Sequence, residues 1–259
     1  MIARALNVPP AVAPARANGG GSGVSCGECG LRGLCLSHGL DDLARDDLGP
    51  DVRRRPPLGR GEMLYAAGRP AHALYAIRSG SLKTCALDPD GDEFVQGFCL
   101  AGEVLGLESL SGHRHDHFAV ALEPTLYCEI PAGALLGLIP RRPALQRELM
   151  QVVNGQLSEN RRQSFIHSRG EARVRLASFL LELSRRRATR KLSPTCFRLG
   201  MGRRDIANYL GLTVETVSRA FSRFQREGLL ESHGKQISLS DPRALAAVCG
   251  ASAMPCDLD

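Results

Sequence analysis

MGRRDIANYLGLTVETVSRAFSRFQREGLL, residues 201–230, reads as two short amphipathic helices joined by a tight corner. In the first, Ile206, Ala207 and Leu210 fall on one helical face. Gly211 stands at the corner, where the backbone needs a residue tolerant of left-handed geometry. Thr213 is a suitable N-cap for the second helix. Beyond it Val214, Val217, Phe221 and Phe224 recur at core spacing. Glu215, Ser218 and Arg219 lie on a different face. A carboxylate there can accept from cytosine, a guanidinium can fork onto guanine, and a hydroxyl can reach either. ESHGKQISL (231–239) follows as a hairpin turned at Gly234, which predicts a winged helix-turn-helix. Arg203, Arg204, Arg223 and Lys235 are candidate phosphate contacts, with Thr213 at the same surface. A structural helical hairpin is the alternative.

The charge pattern points the same way. Residues 1–140 carry 12 basic against 16 acidic side chains, whereas residues 141–235 carry 20 against 8. A basic C-terminal part beside an acidic N-terminal part suggests that the former meets a polyanion. Upstream, from about residue 55 to 140, short apolar runs alternate with turns at Gly68-Arg69-Pro70, Ser79-Gly80, Asp88-Pro89-Asp90-Gly91 and Ala101-Gly102. That spacing predicts an antiparallel barrel or roll.

After Pro143 the texture changes, and no proline recurs before Arg169. Leu145, Leu149, Val152, Val153 and Leu157 are spaced for one apolar stripe on a long helix, extended by Asn160. Such a stripe suits pairing with a second copy; a buried structural helix is the alternative. A further helix is expected over 171–186, with Val174, Leu176, Phe179, Leu180 and Leu183 inward. The expected fold is therefore α+β: a flexible arm (1–25), a sensory region (26–142), a dimerisation helix (143–170), a DNA-binding domain (171–250) and a tail (251–259).

CGECGLRGLC (26–35) concentrates three of the nine cysteines as Cys-x2-Cys-x5-Cys. The N-terminus lacks a secretory signal pattern, no window is apolar enough for a membrane span, and a cytoplasmic protein is expected. Disulfides are disfavoured there, so Cys26, Cys29 and Cys35 read as part of a soft-metal site, zinc or iron–sulfur, with its fourth ligand open. His113, His115 and His117 alternate as a strand face would, which allows a second metal site, although a polar hairpin with incidental histidines is the expected reading. No Ser-His-Asp or paired-carboxylate constellation stands out, and no enzyme is expected.

TVETVSRAFSRFQREG, LYAIRSGSLK, GDEFVQGFCLAGEVLG and LYCEIP resemble the CRP/FNR regulators, specifically the FNR branch with its Glu-x-x-Ser-Arg reading set. The resemblance runs from Cys26 to about Ala247. It implies a cyclic-nucleotide-binding-like β-roll and an oxygen-labile 4Fe-4S cluster on Cys26, Cys29, Cys35 and Cys128. Cys85, Cys99, Cys196, Cys249 and Cys256 are then ordinary thiols. It further implies a homodimer on double-stranded DNA at TTGAT-type inverted repeats, and contact with RNA polymerase through Leu87, Gly91 and Asp92 in LDPDGD. Two departures are Gly30, where a small polar residue is usual, and the arm before Cys26. A CRP-like regulator with structural zinc or a small-molecule effector is the alternative. A cyclic-nucleotide receptor proper would need an arginine for the phosphate, and HRHDHFAVAL (113–122) puts His and Phe there.

Overall fold

Turn chemistry sets the strand order of the N-terminal unit. In the computed structural model, which describes residues 49–250, the chain divides into two compact units, Met1–Asn154 and Gly155–Asp259. The first unit holds eight described strands: β1 (Arg53–Arg54), β2 (Met63–Tyr65), β3 (Ala73–Ser79), β4 (Ser81–Leu87), β5 (Glu93–Leu100), β6 (Val104–Leu105), β7 (Phe118–Ala121) and β8 (Leu126–Pro131). They form two antiparallel four-stranded sheets, ordered β1-β8-β3-β6 and β2-β7-β4-β5. Gly80, at φ 84°, lets β3 pass into β4. A Cβ there would sit 2.5 Å from the Pro124 carbonyl oxygen, so close approach as well as φ requires glycine. The β4–β5 turn is closed by Asp88, whose carboxylate accepts from the Asp90 and Asp92 amides.

Two apolar clusters fill this unit. Tyr65, Ile77, Leu82, Cys99, Leu105 and Ala119 pack on one another within the roll. Leu74, Ala76, Val104 and Ile130 pack against α1 (Ala132–Leu138) and the start of α2 (Pro143–Arg169). The expected stripe on α2 therefore splits. Leu145 and Leu149 are buried in the second cluster and Val152 rests half-buried against it, so these three are structural. The exposed apolar line is Met150, Val153 and Leu157, with Asn160 continuing it. Spacing of 3.6 identifies a face but not what lies across from it. That is why a single stripe was expected where the helix presents two.

The second unit contains α3 (Ala172–Ala188), β9 (Cys196–Arg198), α4 (Arg203–Leu210), α5 (Val214–Arg226), β10 (Leu230–His233), β11 (Gln236–Leu239) and α6 (Pro242–Val248). A three-stranded antiparallel sheet, β10-β11-β9, forms the wing. Leu176, Phe179, Leu180 and Leu183 of α3 are buried as expected, together with Ile206, Ala207 and Leu210 of α4. On α5, Val217, Phe221 and Phe224 are buried, but Val214 is 39% exposed. It occupies the first helical turn, ahead of the part of α5 that packs on the core. No helix among the described residues is long and apolar enough to cross a membrane.

Candidate nucleic-acid interface and thiol site

The reading helix is built by local capping. Gly211 takes the left-handed conformation at φ 62°, and its amide donates back to the Ala207 and Asn208 carbonyls, ending α4. Thr213 then starts α5: its hydroxyl oxygen accepts from the Thr216 amide at 3.2 Å. With Val217, Phe221 and Phe224 anchored beneath, the opposite face presents Glu215, Ser218 and Arg219, all exposed. Thr213 is exposed beside them. Thr216 was missed from the pattern, yet its hydroxyl lies 3.4 Å from an Arg219 guanidinium nitrogen and 2.9 Å from the Thr213 hydroxyl. It links the cap to Arg219. The Thr-x-x-Thr-x-x-Arg spacing of residues 213–219 was the available signal.

The four candidate phosphate contacts differ in setting. Arg204 is exposed on α4. Arg203 instead lays its guanidinium over the Phe221 ring, 3.3 Å from the centroid, and donates to the Ser232 hydroxyl at 3.1 Å. Burial holds its pKa below the ordinary arginine value. These contacts pack α4 on α5 and the wing. Arg223 bonds Glu227 at 2.9 Å, and Arg173 pairs with the same carboxylate. Lys235, half-buried on the wing, donates to the Gly200 carbonyl.

In the N-terminal unit the thiols sort by exposure. Cys26, Cys29 and Cys35 lie outside the described residues. Cys85 and Cys99 are each 4% exposed, sealed in the roll. Cys128 is half-buried on β8, its Cα in register with Ala76 of β3 and Arg54 of β1. Cross-strand partners share a sheet face, and on that face Cys128 packs against the cluster containing Leu145 and Leu149 of α2. The adjoining Glu129 is neutralised by Arg55, whose Nε donates to it at 2.7 Å. Among the described cysteines of this unit, Cys128 alone is partly accessible, so its thiol fits a ligand role as the other two do not. The turn residues Leu87, Gly91 and Asp92 are exposed, and so is Phe94 beside them on β5.

The roll buries His115 against Glu108. Arg114 is exposed and donates to the Gly68 carbonyl at 2.8 Å. The expected polar hairpin at 113–117 is also corrected: His113 is exposed, His115 is buried and His117 is half-buried, outside any strand.

Comparison with known proteins agrees with this architecture. Residues 56–142 match the cyclic nucleotide-binding domain, and residues 174–248 match the Crp-like helix-turn-helix domain. The chain is 40% identical over 235 residues to the fumarate and nitrate reduction regulatory proteins of Salmonella typhimurium and of Escherichia coli K12. Those alignments cover 91% of this chain and 94% of each relative. The solved structure of FixK2 from Bradyrhizobium japonicum is similar at TM-score 0.71 and 32% identity, over 78% of this chain and 99% of that one. The relatives are transcription regulators, and the Crp-like helix-turn-helix domain that includes α4 and α5 gives the chain a DNA-binding role and no enzymatic one. With a cyclic nucleotide-binding-type roll followed along the chain by a winged helix-turn-helix, and with these relatives, the chain belongs to the FNR group of the CRP/FNR transcription regulators.

Proposed function

We propose that this regulator responds to oxygen, with Cys26, Cys29, Cys35 and Cys128 holding a 4Fe-4S cluster. Four thiolates are the donor set that iron–sulfur chemistry takes. The supporting observation is Cys128 itself, half-accessible on the sheet face that carries the start of α2 while Cys85 and Cys99 are sealed. When bound, the cluster supplies an oxygen-labile link between the arm and that face. The chain's own residues then do the rest. Met150, Val153, Leu157 and Asn160 offer the face of α2 on which a second copy pairs. Two-fold symmetry places two α5 helices about one helical turn of DNA apart, on an inverted repeat of TTGAT type. Glu215 reads cytosine and Arg219 reads guanine of its G·C pair.

The test is iron content and affinity for that repeat, measured in protein purified without oxygen and again after air. Iron at about four per chain, with DNA binding lost as it leaves, is the expected result. A protein holding zinc and indifferent to air would refute oxygen sensing while leaving the DNA-binding assignment intact.

Activation is assigned to Leu87, Gly91 and Asp92 as a contact with RNA polymerase, on the ground that this turn projects with Leu87 and Phe94 uncovered. Reversing charge with Asp92→Lys is expected to abolish activation in a transcription assay while DNA affinity stays unchanged. Activation at the wild-type level would remove the turn from the mechanism.

A further inference from the structure

The first unit carries a second cluster of metal-ligating side chains, remote in sequence from the cysteine arm. A 3-10 turn, Leu107–Ser111, is bounded by Gly106 and Gly112, both left-handed, and carries Glu108. The chain then returns through His113–His117. Backbone bonds hold this return: the Gly68 amide donates to the His115 carbonyl at 2.7 Å, and the His115 amide donates to the Arg69 carbonyl at 2.9 Å. Glu108, Asp116 and His117 thereby offer ligand atoms that all lie within 4.8 Å of one another.

The surrounding residues arrange these three as ligands are arranged at metal centres. His117 Nε2 lies 2.7 Å from the Tyr65 hydroxyl, which fixes the ring and turns Nδ1 to within 2.5 Å of the Asp116 carboxylate. Outer-sphere hydrogen bonds of this kind orient histidine ligands. His115 is stacked flat on Tyr65, with centroids 3.8 Å apart and planes 9° apart, and its Nδ1 lies 2.5 Å from Glu108 Oε1. The Glu108 carboxylate keeps acceptor lone pairs beyond the one that His115 engages. The Asp116 side chain is 86% exposed, so the cluster opens to solvent on that side.

From this geometry we propose that Glu108, Asp116 and His117 form a binding site for a divalent first-row transition ion of the zinc class. One imidazole and two carboxylates supply three protein ligands and two negative charges, and water completes the sphere. Bonds of about 2.0–2.2 Å require the three side chains to close in on the ion, a movement the exposed Asp116 can make. With the ion on Nδ1, the ring proton resides on Nε2 and the Tyr65 oxygen accepts it. The site shares no ligand with the cysteine set.

Cobalt(II) distinguishes the two, because thiolate ligands give sulfur-to-metal charge transfer and a nitrogen–oxygen set does not. The full-length protein should bind about one equivalent of Co2+ showing weak d–d bands alone, displaced by Zn2+. His117→Ala and Asp116→Asn should each lose that equivalent and keep any thiolate-bound cobalt. Asp116→Asn serves as the folding control, since a solvent-facing change of this size leaves the roll intact. A wild-type protein without the thiolate-free bands, or either variant retaining them at wild-type stoichiometry, would overturn the site.

Discussion

Replacing Cys128 by serine is expected to leave a folded protein whose DNA binding no longer responds to air. The exchange removes one sulfur and keeps the shape of the side chain, at a position half-buried in mid-strand β8. Its neighbours Ala76, Leu145 and Leu149 lose little packing, so the roll should melt close to wild type. The proposed ligand set, in contrast, loses its one member on the roll. Under nitrogen the variant should hold little iron and bind the inverted repeat as weakly as aerated wild type. Coupling free energies between linked sites run at about 1–3 kcal/mol, so the deficit should be roughly 5–150-fold in affinity. Cys99→Ser is the informative comparison: it puts a hydroxyl among Tyr65, Ile77 and Leu82, and should lower the melting temperature while preserving the response to air. If Cys128→Ser kept its iron and its air sensitivity, and Cys99→Ser lost them, the fourth ligand would be the wrong one of the two.

How legible the molecule was depended on the range over which each feature is determined. The helix-turn-helix is local: Gly211, Thr213 and the Val217–Phe221–Phe224 stripe fix corner, cap and buried face within about a dozen residues, and each stands as read. Val214 departs because burial at a helix end depends on how far the neighbouring elements extend. The α2 stripe shows the same dependence on a larger scale. Leu145 and Leu149 carry the same spacing as Leu157, and only the presence of Leu74, Ala76 and Ile130 across from them separates core from free face. Arg203 was read from charge, but Phe221, far along the chain, determines where its guanidinium rests. The histidine segment is the furthest from legible. Alternation at 113, 115 and 117 suggested a strand, whereas Glu108 and Tyr65 partner these rings across a turn and across 52 residues. No local pattern announces such pairs.

Arg219→Ala carries the second large effect, and it separates reading from positioning. Arg219 is exposed and its described side-chain bond is a long one to Thr216, so truncation should leave the melting temperature of the DNA-binding unit unchanged. A bidentate arginine–guanine contact is worth about 1–3 kcal/mol of discrimination. The variant should therefore lose roughly 5–150-fold of the wild-type discrimination between a TTGAT repeat and a repeat with the G·C pair exchanged, keeping what Glu215 contributes at the cytosine. Lysine should recover little, because a single ammonium cannot reproduce the two-pronged geometry of the guanidinium. Arg204→Ala, on the neighbouring helix, is expected to behave in the opposite manner. If that side chain meets a phosphate, affinity should drop by a similar factor on both repeats, and the dependence of log K on log salt should become shallower by about one charge. The two variants thus have different signatures in one salt-and-sequence titration. Full discrimination in Arg219→Ala would move guanine reading to another side chain. The exposed neighbours on the same helix, Glu215 and Ser218, would be the next to truncate.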